Sequence, residues 1–351
     1  MDKLKIAYVK SSLYWDLWVC DISSNYFDLL KTTLLRCPAI ALSEKLNTDF
    51  IIIKETFQSS EELYHKLTPG IFNIKNNLQY SNLNKNPDLN FLDETHHKHT
   101  TIDNVSHDVN TIDWLKYDIV ITINMCIPSY IIHKYPSILW CYITGENTGE
   151  YIETLYKPYD IVLNQDLTKV CPEHSIGFPY TFLHPYTLEN INKNLINNTT
   201  SKNGIYMEIN NTTQRPVTEI PLSIMEISNV TNLHIYIHSQ NIIQNIKNMY
   251  NSKYFLKLEG RNIRGNAVLE AISAGCVIIA NPNLVRYNDL IHETCKINDN
   301  NDAIRIITYL ENNPVIYNEV LQFQREYMEL HYYKTPLENL YKHYLKKKSL
   351  L

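Results

Sequence analysis

Apolar residues in this chain fall in short, largely unbroken runs rather than in alternation with polar ones. The clearest are residues 4–9, 49–53, 117–123, 137–143 and 159–163. A strand with one wet face alternates inside and outside positions. Runs apolar at successive positions instead predict strands covered on both faces, as in the parallel sheet of an α/β domain. Between the first two runs, residues 26–46 carry helical spacing, with Leu29, Leu30, Leu34, Leu35 and Ala39 near one face and an interruption at Pro38. From about 72 to 110 the chain turns polar and loses periodicity, which predicts an insertion or long loop. A second polar stretch, 187–203, predicts a linker. The strand pattern then restarts at 204–207, 233–237 and 254–258, followed by a helix over 266–274 and a strand over 276–280. Beyond residue 302 the pattern is helical, with breaks predicted at Pro314 and near Thr335-Pro336.

Two successive α/β units follow from this order, and a chain of 351 residues is long for a single core. We expect a Rossmann-like domain over 1–186 with a polar insertion near 72–110, the linker at 187–203, and a second Rossmann-like domain over 204–325. Helices over 326–351 are expected to pack back on the first domain. No internal repeat of solenoid period is present.

Composition changes this picture little. Hydrophobic content of 44% and charged content of 20% are ordinary globular values. A net charge of −5 gives no global attraction to nucleic acid, so no nucleic-acid partner is expected. No segment reaches the ~20 apolar residues of a membrane span, and the N-terminus lacks an apolar signal core. Seven cysteines form no CxxC pair, and Cys126, Cys141 and Cys276 lie in apolar runs, which predicts reduced, buried thiols. Together these features point to a cytoplasmic protein with no transmembrane segment.

Residues 254–283 carry the densest chemical signal. A strand ends near Leu258 or Glu259, residues 260–265 form a tight loop bearing Arg261 and Arg264, and a helix opens around Asn266. Gly275 falls at the helix C′ position, and a buried strand follows at once. Free backbone N–H groups at Gly265, Asn266 and Ala267, the positive end of the helix dipole and the two loop arginines make this an anion site suited to phosphate. Glu270, about one turn into the helix, is placed to accept hydrogen bonds from the paired hydroxyls of a ribose.

The run Asn266-Ala267-Val268-Leu269-Glu270-Ala271-Ile272-Ser273-Ala274-Gly275-Cys276-Val277-Ile278-Ile279-Ala280 resembles the C-terminal-domain signature of GT-B glycosyltransferases. More narrowly, it is similar to the retaining two-glutamate family (glycosyltransferase family 4-like) that includes sucrose and glycogen synthases. The resemblance implies two Rossmann-like domains facing across a cleft and a nucleotide-diphosphate sugar as donor. It also implies an acceptor hydroxyl on a glycan, protein or lipid. Glu270 matches the second glutamate, which binds the donor ribose. Asn262 stands where the first glutamate belongs, and Glu259 is the nearest carboxylate. Residues 205–215 are placed like the strand and loop that supply an Arg/Lys pair for the pyrophosphate, and Arg215 is the matching cation. GT-B enzymes generally work without a bound metal, so neither a metal nor a separate cofactor is expected.

Outside that segment, Glu146 follows a buried strand at its carboxyl end. The residue reads either as a general base or acceptor contact, or as part of an ordinary strand-to-helix turn. His96, His97, His99 and His107 lack a recognised metal-ligand spacing and read as solvated loop. The expected activity is therefore sugar transfer, with a non-catalytic GT-B-like sugar- or nucleotide-binding protein as the alternative. An NAD-dependent Rossmann enzyme is disfavoured, because no G-x-G-x-x-G follows an early strand.

Overall fold

A computed structural model of the chain describes residues 4–11, 47–54, 68–73, 109–123, 127–143, 158–164, 174–178, 202–207, 222–238, 242–260, 262–263 and 267–351. The chain divides into two compact units, one of residues 1–182 and 332–351, the other of residues 183–331.

The first unit is built on a seven-stranded sheet. Its strands are β1 (Lys5–Ser11), β2 (Asn47–Lys54), β3 (Thr68–Asn73), β4 (Ile119–Ile123), β5 (Leu139–Ile143), β6 (Ile161–Asn164) and β7 (Ser175–Gly177), in spatial order β3-β2-β1-β4-β5-β6-β7. All neighbours pair in parallel except β2 and β3, which are antiparallel. The doubly covered strands read from the apolar runs are borne out in β1, β4 and β5, where successive residues are buried, whereas β6 is buried only at alternate positions. Around them, Trp114 and Trp140 meet at 5.4 Å beside Ile131 and Ile132 of the short helix α1 (Ser129–Lys134).

Two details differ from expectation. Strand β3 runs through Phe72 and Asn73, so the polar insertion begins later than 72. At its far end Val109 is already core, 2% exposed, and its carbonyl accepts a bond from the Trp114 indole. The signal at 68–73 is weak because Pro69 and Gly70 read as turn residues, and an antiparallel edge strand tolerates both.

A repeated Tyr-Asp-Ile-Val sequence, at 117–120 and at 159–162, opens β4 and β6. Each aspartate accepts a backbone N–H from the neighbouring strand: Asp118 from Lys5 at 3.0 Å and Asp160 from Trp140 at 2.8 Å. Both also hold the C-terminal helix α7 (Thr335–Ser349), through the Tyr344 hydroxyl and the Lys347 ammonium. Burial, together with the Asp118 carboxylate, pushes the Tyr344 phenol up to about 12.

The second unit has a four-stranded, wholly parallel sheet of β8 (Gly204–Met207), β9 (His234–Ile237), β10 (Ser252–Lys257) and β11 (Val277–Ala280), in order β11-β10-β8-β9. Helices α2 (Leu222–Thr231), α3 (Ile242–Asn251), α4 (Ala267–Ser273), α5 (Asn300–Asn312) and α6 (Pro314–Glu329) flank it. Strand β11 is an edge whose outward polar groups need partners. Gln324 of α6, fully buried, supplies them: its amide accepts from the Ile278 N–H at 3.1 Å and donates to the Ile278 carbonyl at 3.3 Å. The other edge, β9, is only half covered, contrary to its apolar sequence. There the ring of His234 packs edge-on against Tyr236 at 4.5 Å.

The last two residues of the expected linker already belong to the fold. Asn203 donates to the Asn251 carbonyl and accepts from the His234 N–H, both at 3.0 Å. The expected boundary at 325 falls inside α6, and the chain changes unit at Tyr332. The predicted break near Thr335-Pro336 is also absent. A π-helical turn (Leu330–Lys334) carries α6 into α7, placing the proline, which has no N–H to donate, in the first turn of α7. Cys141, Cys276 and Cys295 are buried free thiols, and burial raises all three above the usual range. Cys126 lies outside the described residues.

Gly204 opens β8 against the Tyr236 ring, whose carbons would stand 2.3 and 2.5 Å from any added Cβ. Gly204→Ala is expected to lower stability by about 1–3 kcal/mol through overpacking. Chemical denaturation measures it, and pairing the change with Tyr236→Ala is expected to recover part of the loss.

Candidate nucleotide-binding edge of the second unit

In a parallel sheet all carboxyl ends emerge along one edge, and a crevice opens there where the winding reverses. In the second unit the chain runs β8 to β9 on one side, then crosses back to β10 and β11 on the other. The reversal lies between β8 and β10, so the crevice opens outside Met207 and Lys257. Lys257 is 2% exposed, a buried cation at the root of this edge. In the first unit the same reversal lies between β1 and β4.

Two chain segments leave the edge side by side. After β10 comes Leu258, then the exposed Glu259, then Gly260 with φ +86, a left-handed turn that favours glycine. After β11, the Asn281 N–H donates to the Lys257 carbonyl at 2.9 Å, and the Asn281 side chain caps a 3₁₀ turn (Pro282–Leu284). The segments meet again in a parallel bridge between Ile263 and Val285. There Ile263 donates to the Leu284 carbonyl at 2.8 Å and accepts from the Arg286 N–H at 2.9 Å. Asn262 adds a side-chain bond to the Asn283 carbonyl at 2.9 Å. The result is a ledge of pinned backbone beyond the sheet, formed among the described residues by 258–260, 262–263 and 281–286.

Helix α4 leads back from the ledge. Val268, Leu269, Ala271, Ile272 and Ser273 are buried, while Ala267 and Glu270 are half-buried. Glu270 lies three residues past Ala267, about 4.5 Å along the axis. Gly275, at φ +83, ends the helix as its sequence position predicts. The Gly275 N–H donates to Ile272 and the Cys276 N–H to Ala271, both at 2.9 Å, the paired bonds of a Schellman ending. The Lys202 ammonium completes the stop, donating to the carbonyls of Ala274 at 2.6 Å and Ser252 at 2.9 Å. A cation at the negative end of the helix stabilises it further.

Of the expected site residues, Glu259, Ala267 and Glu270 are described: Glu259 is exposed two residues past the end of β10, and Ala267 and Glu270 are half-buried in the first turn of α4. Glu146, Arg215, Arg261, Arg264, Gly265 and Asn266 lie outside the described residues, as do the histidines at 96, 97, 99 and 107. Among the described residues no three His, Cys, Asp or Glu side chains gather in a way that could hold a metal ion, and no helix is long and apolar enough to cross a membrane. Sequence reasoning passed over Lys257, which looks like an ordinary strand lysine, and Arg286, whose place on the ledge depends on a pairing across 22 positions of sequence.

No protein-family model matches the chain, and no curated protein sequence matches it. Among solved structures, it is similar to the T4 phage β-glucosyltransferase in complex with UDP-glucose, at 13% identity and a TM-score of 0.37, over 98% of this chain and 99% of that one. It is similar to sucrose-phosphate synthase from Thermosynechococcus elongatus at 10% identity and a TM-score of 0.45, over 99% of this chain and 100% of that one. It is also similar to the pneumococcal O-GlcNAc transferase GtfA in complex with UDP and GlcNAc, at 13% identity and a TM-score of 0.38, over 65% of this chain and 56% of that one.

Lys202 organises the junction of α4 with β10, and a methionine there keeps the stem but loses both bonds. Lys202→Met is expected to cost about 1.5–3 kcal/mol, the range for hydrogen bonds made by a charged group. Urea unfolding followed by circular dichroism tests this; an unchanged midpoint would show that the ammonium contributes nothing to the helix ending.

Proposed function

We infer that this protein transfers a sugar from a nucleotide-diphosphate donor to a hydroxyl acceptor, and that the second unit holds the donor. One observation carries the reading. The segment whose sequence suits a nucleotide, from Glu259 to Glu270, leaves the sheet at the carboxyl end of β10, beside the point where the winding reverses. The sequence puts that segment after a strand, and the strand order adds that this strand borders the reversal.

In this account Glu270 accepts hydrogen bonds from the ribose hydroxyls. Backbone N–H groups of Gly265, Asn266 and Ala267, with Arg261, Arg264 and Arg215, surround the phosphates. During transfer the bond from the sugar's anomeric carbon to the diphosphate oxygen breaks, and a bond to the acceptor oxygen forms. The acceptor proton passes to a base, for which Glu146 is the candidate and Glu259 the second. Negative charge grows on the leaving diphosphate, and fixed cations and amide dipoles stabilise it there, the part a metal plays in other transferases. Within the GT-B class, the retaining two-glutamate family is the one the 266–280 segment is most similar to. A glycan, a protein or a lipid would serve as acceptor.

A second reading has a specific observation behind it. Asn262 occupies the first-glutamate position, and its side chain is engaged in pinning the ledge through Asn283. A residue committed to loop structure leaves that role to the exposed Glu259 or leaves it unfilled. In the latter case the protein binds a sugar nucleotide without turning it over.

Thermal unfolding against UDP, GDP, ADP, CMP and their sugar conjugates separates these outcomes. A ligand at a hundred times its dissociation constant adds about 2.7 kcal/mol, a shift of a few degrees. One nucleotide is expected to stabilise the wild type, and Glu270→Ala is expected to lose most of that shift. Release of the free nucleotide from the matching sugar conjugate, on addition of acceptor, then marks a transferase. Binding without release marks the second reading, and no shift with any nucleotide contradicts both.

A further inference from the structure

Arg286 stands on the ledge one residue past the Ile263–Val285 bridge. Its backbone is held by the bond to Ile263, and its neighbours Val285 and Tyr287 are each 2% exposed. The side chain is half-buried, and its Nη1 is screened from solvent without a hydrogen-bond partner among the described residues. An arginine cannot shed its charge, and a buried N–H left idle is a standing loss of stability. The acids nearby in sequence have other partners: Asp289 bonds the Tyr327 hydroxyl, and Glu293 pairs with Lys296. A cation in this condition, tied through its backbone to Ile263 within the 259–270 segment and past the same ends of the strands as the buried Lys257, is arranged for an anion that arrives from outside the chain.

We propose that Arg286 binds the diphosphate of the nucleotide, its half-buried guanidinium turning outward so that Nη1 donates to a non-bridging phosphate oxygen. The inference rests on the donor-site reading of this edge and adds to it a phosphate-contacting residue that the sequence signature does not contain. A planar guanidinium suits the task, because its fork of donors matches the spacing of two phosphate oxygens, which a lysine cannot reproduce.

The test uses the full-length protein and two variants, Arg286→Leu and Arg286→Lys, titrated with UDP, GDP and ADP and with the parent nucleosides uridine, guanosine and adenosine. For the nucleotide that binds the wild type, Arg286→Leu is expected to weaken the diphosphate about tenfold to a hundredfold. Its affinity for the parent nucleoside is expected to stay the same. Without ligand, the same variant is expected to unfold at the wild-type temperature or above it, since an idle buried donor has been removed. Arg286→Lys keeps the charge and much of the stem and covers the case in which the leucine variant fails to fold. It is expected to weaken the diphosphate severalfold and leave the nucleoside alone. Wild-type affinity for the diphosphate in the variants overturns the proposal, and so does an equal loss of nucleoside and diphosphate. A ligand-free unfolding temperature below wild type in Arg286→Leu overturns it as well, by showing that the guanidinium already has a partner. If no nucleotide binds the wild type, the failure belongs to the donor-site reading itself and takes this proposal with it.

Discussion

Parallel strand pairing is the constraint on which the second unit depends. Strand β10 lies between β8 and β11, in register with both, so the chain must leave all three strands along one edge. Because the order is β11-β10-β8-β9, the chain passes from β8 to β9 on one side and from β10 to β11 on the other, and no direct connection joins β8 to β10. The ladder then continues past the formal end of the sheet. Asn281 bonds Lys257, and Ile263 bonds both Leu284 and Arg286. The backbone next to the crevice is therefore fixed by hydrogen bonds rather than by loop packing. A site held this way keeps its donors in place before a ligand arrives, the condition under which electrostatic stabilisation is most effective.

Cations in this unit sort by their partners. Lys202 sits before β8, where its ammonium is saturated by the carbonyls of Ala274 and Ser252, and its role is to end α4 and hold it on β10. Lys253 at the start of β10 is likewise matched, with Glu311 at 2.8 Å, and the Tyr254 hydroxyl shares that carboxylate. Arg286, past the opposite ends of the strands, has a buried Nη1 with no such match among the described residues. Structural cations complete a carbonyl or carboxylate already present, whereas a binding cation waits for one. Proteins keep such local losses of stability where function requires them.

Much of this arrangement was legible in the sequence because doubly covered parallel strands need apolar residues at successive positions. Residues 117–123, 137–143 and 276–280 announce β4, β5 and β11 with little ambiguity, and Gly275 announces the end of α4 through its need for a left-handed conformation. What escaped was decided by partners far away in sequence. Strand β3 contains Pro69 and Gly70 and exists because β2 offers it an edge. The continuous helix through Tyr332 depends on a π turn that no local signal marks. No local signal marks Arg286, whose place on the ledge depends on the Ile263–Val285 bridge. Glu270 could be singled out because it lies within a continuous fifteen-residue signature, whereas Arg286 belongs to a site assembled from two separate segments.

Hydrogen–deuterium exchange with and without a nucleoside diphosphate tests the central claim most directly, since it reports where the ligand settles without assuming a reaction. The account predicts slowed exchange in peptides spanning 258–270 and 281–288, with the first unit's β1 and β4 exits little changed. Protection confined to the first unit, at residues after Ser11 and Ile123, would contradict it and move the nucleotide to the other sheet.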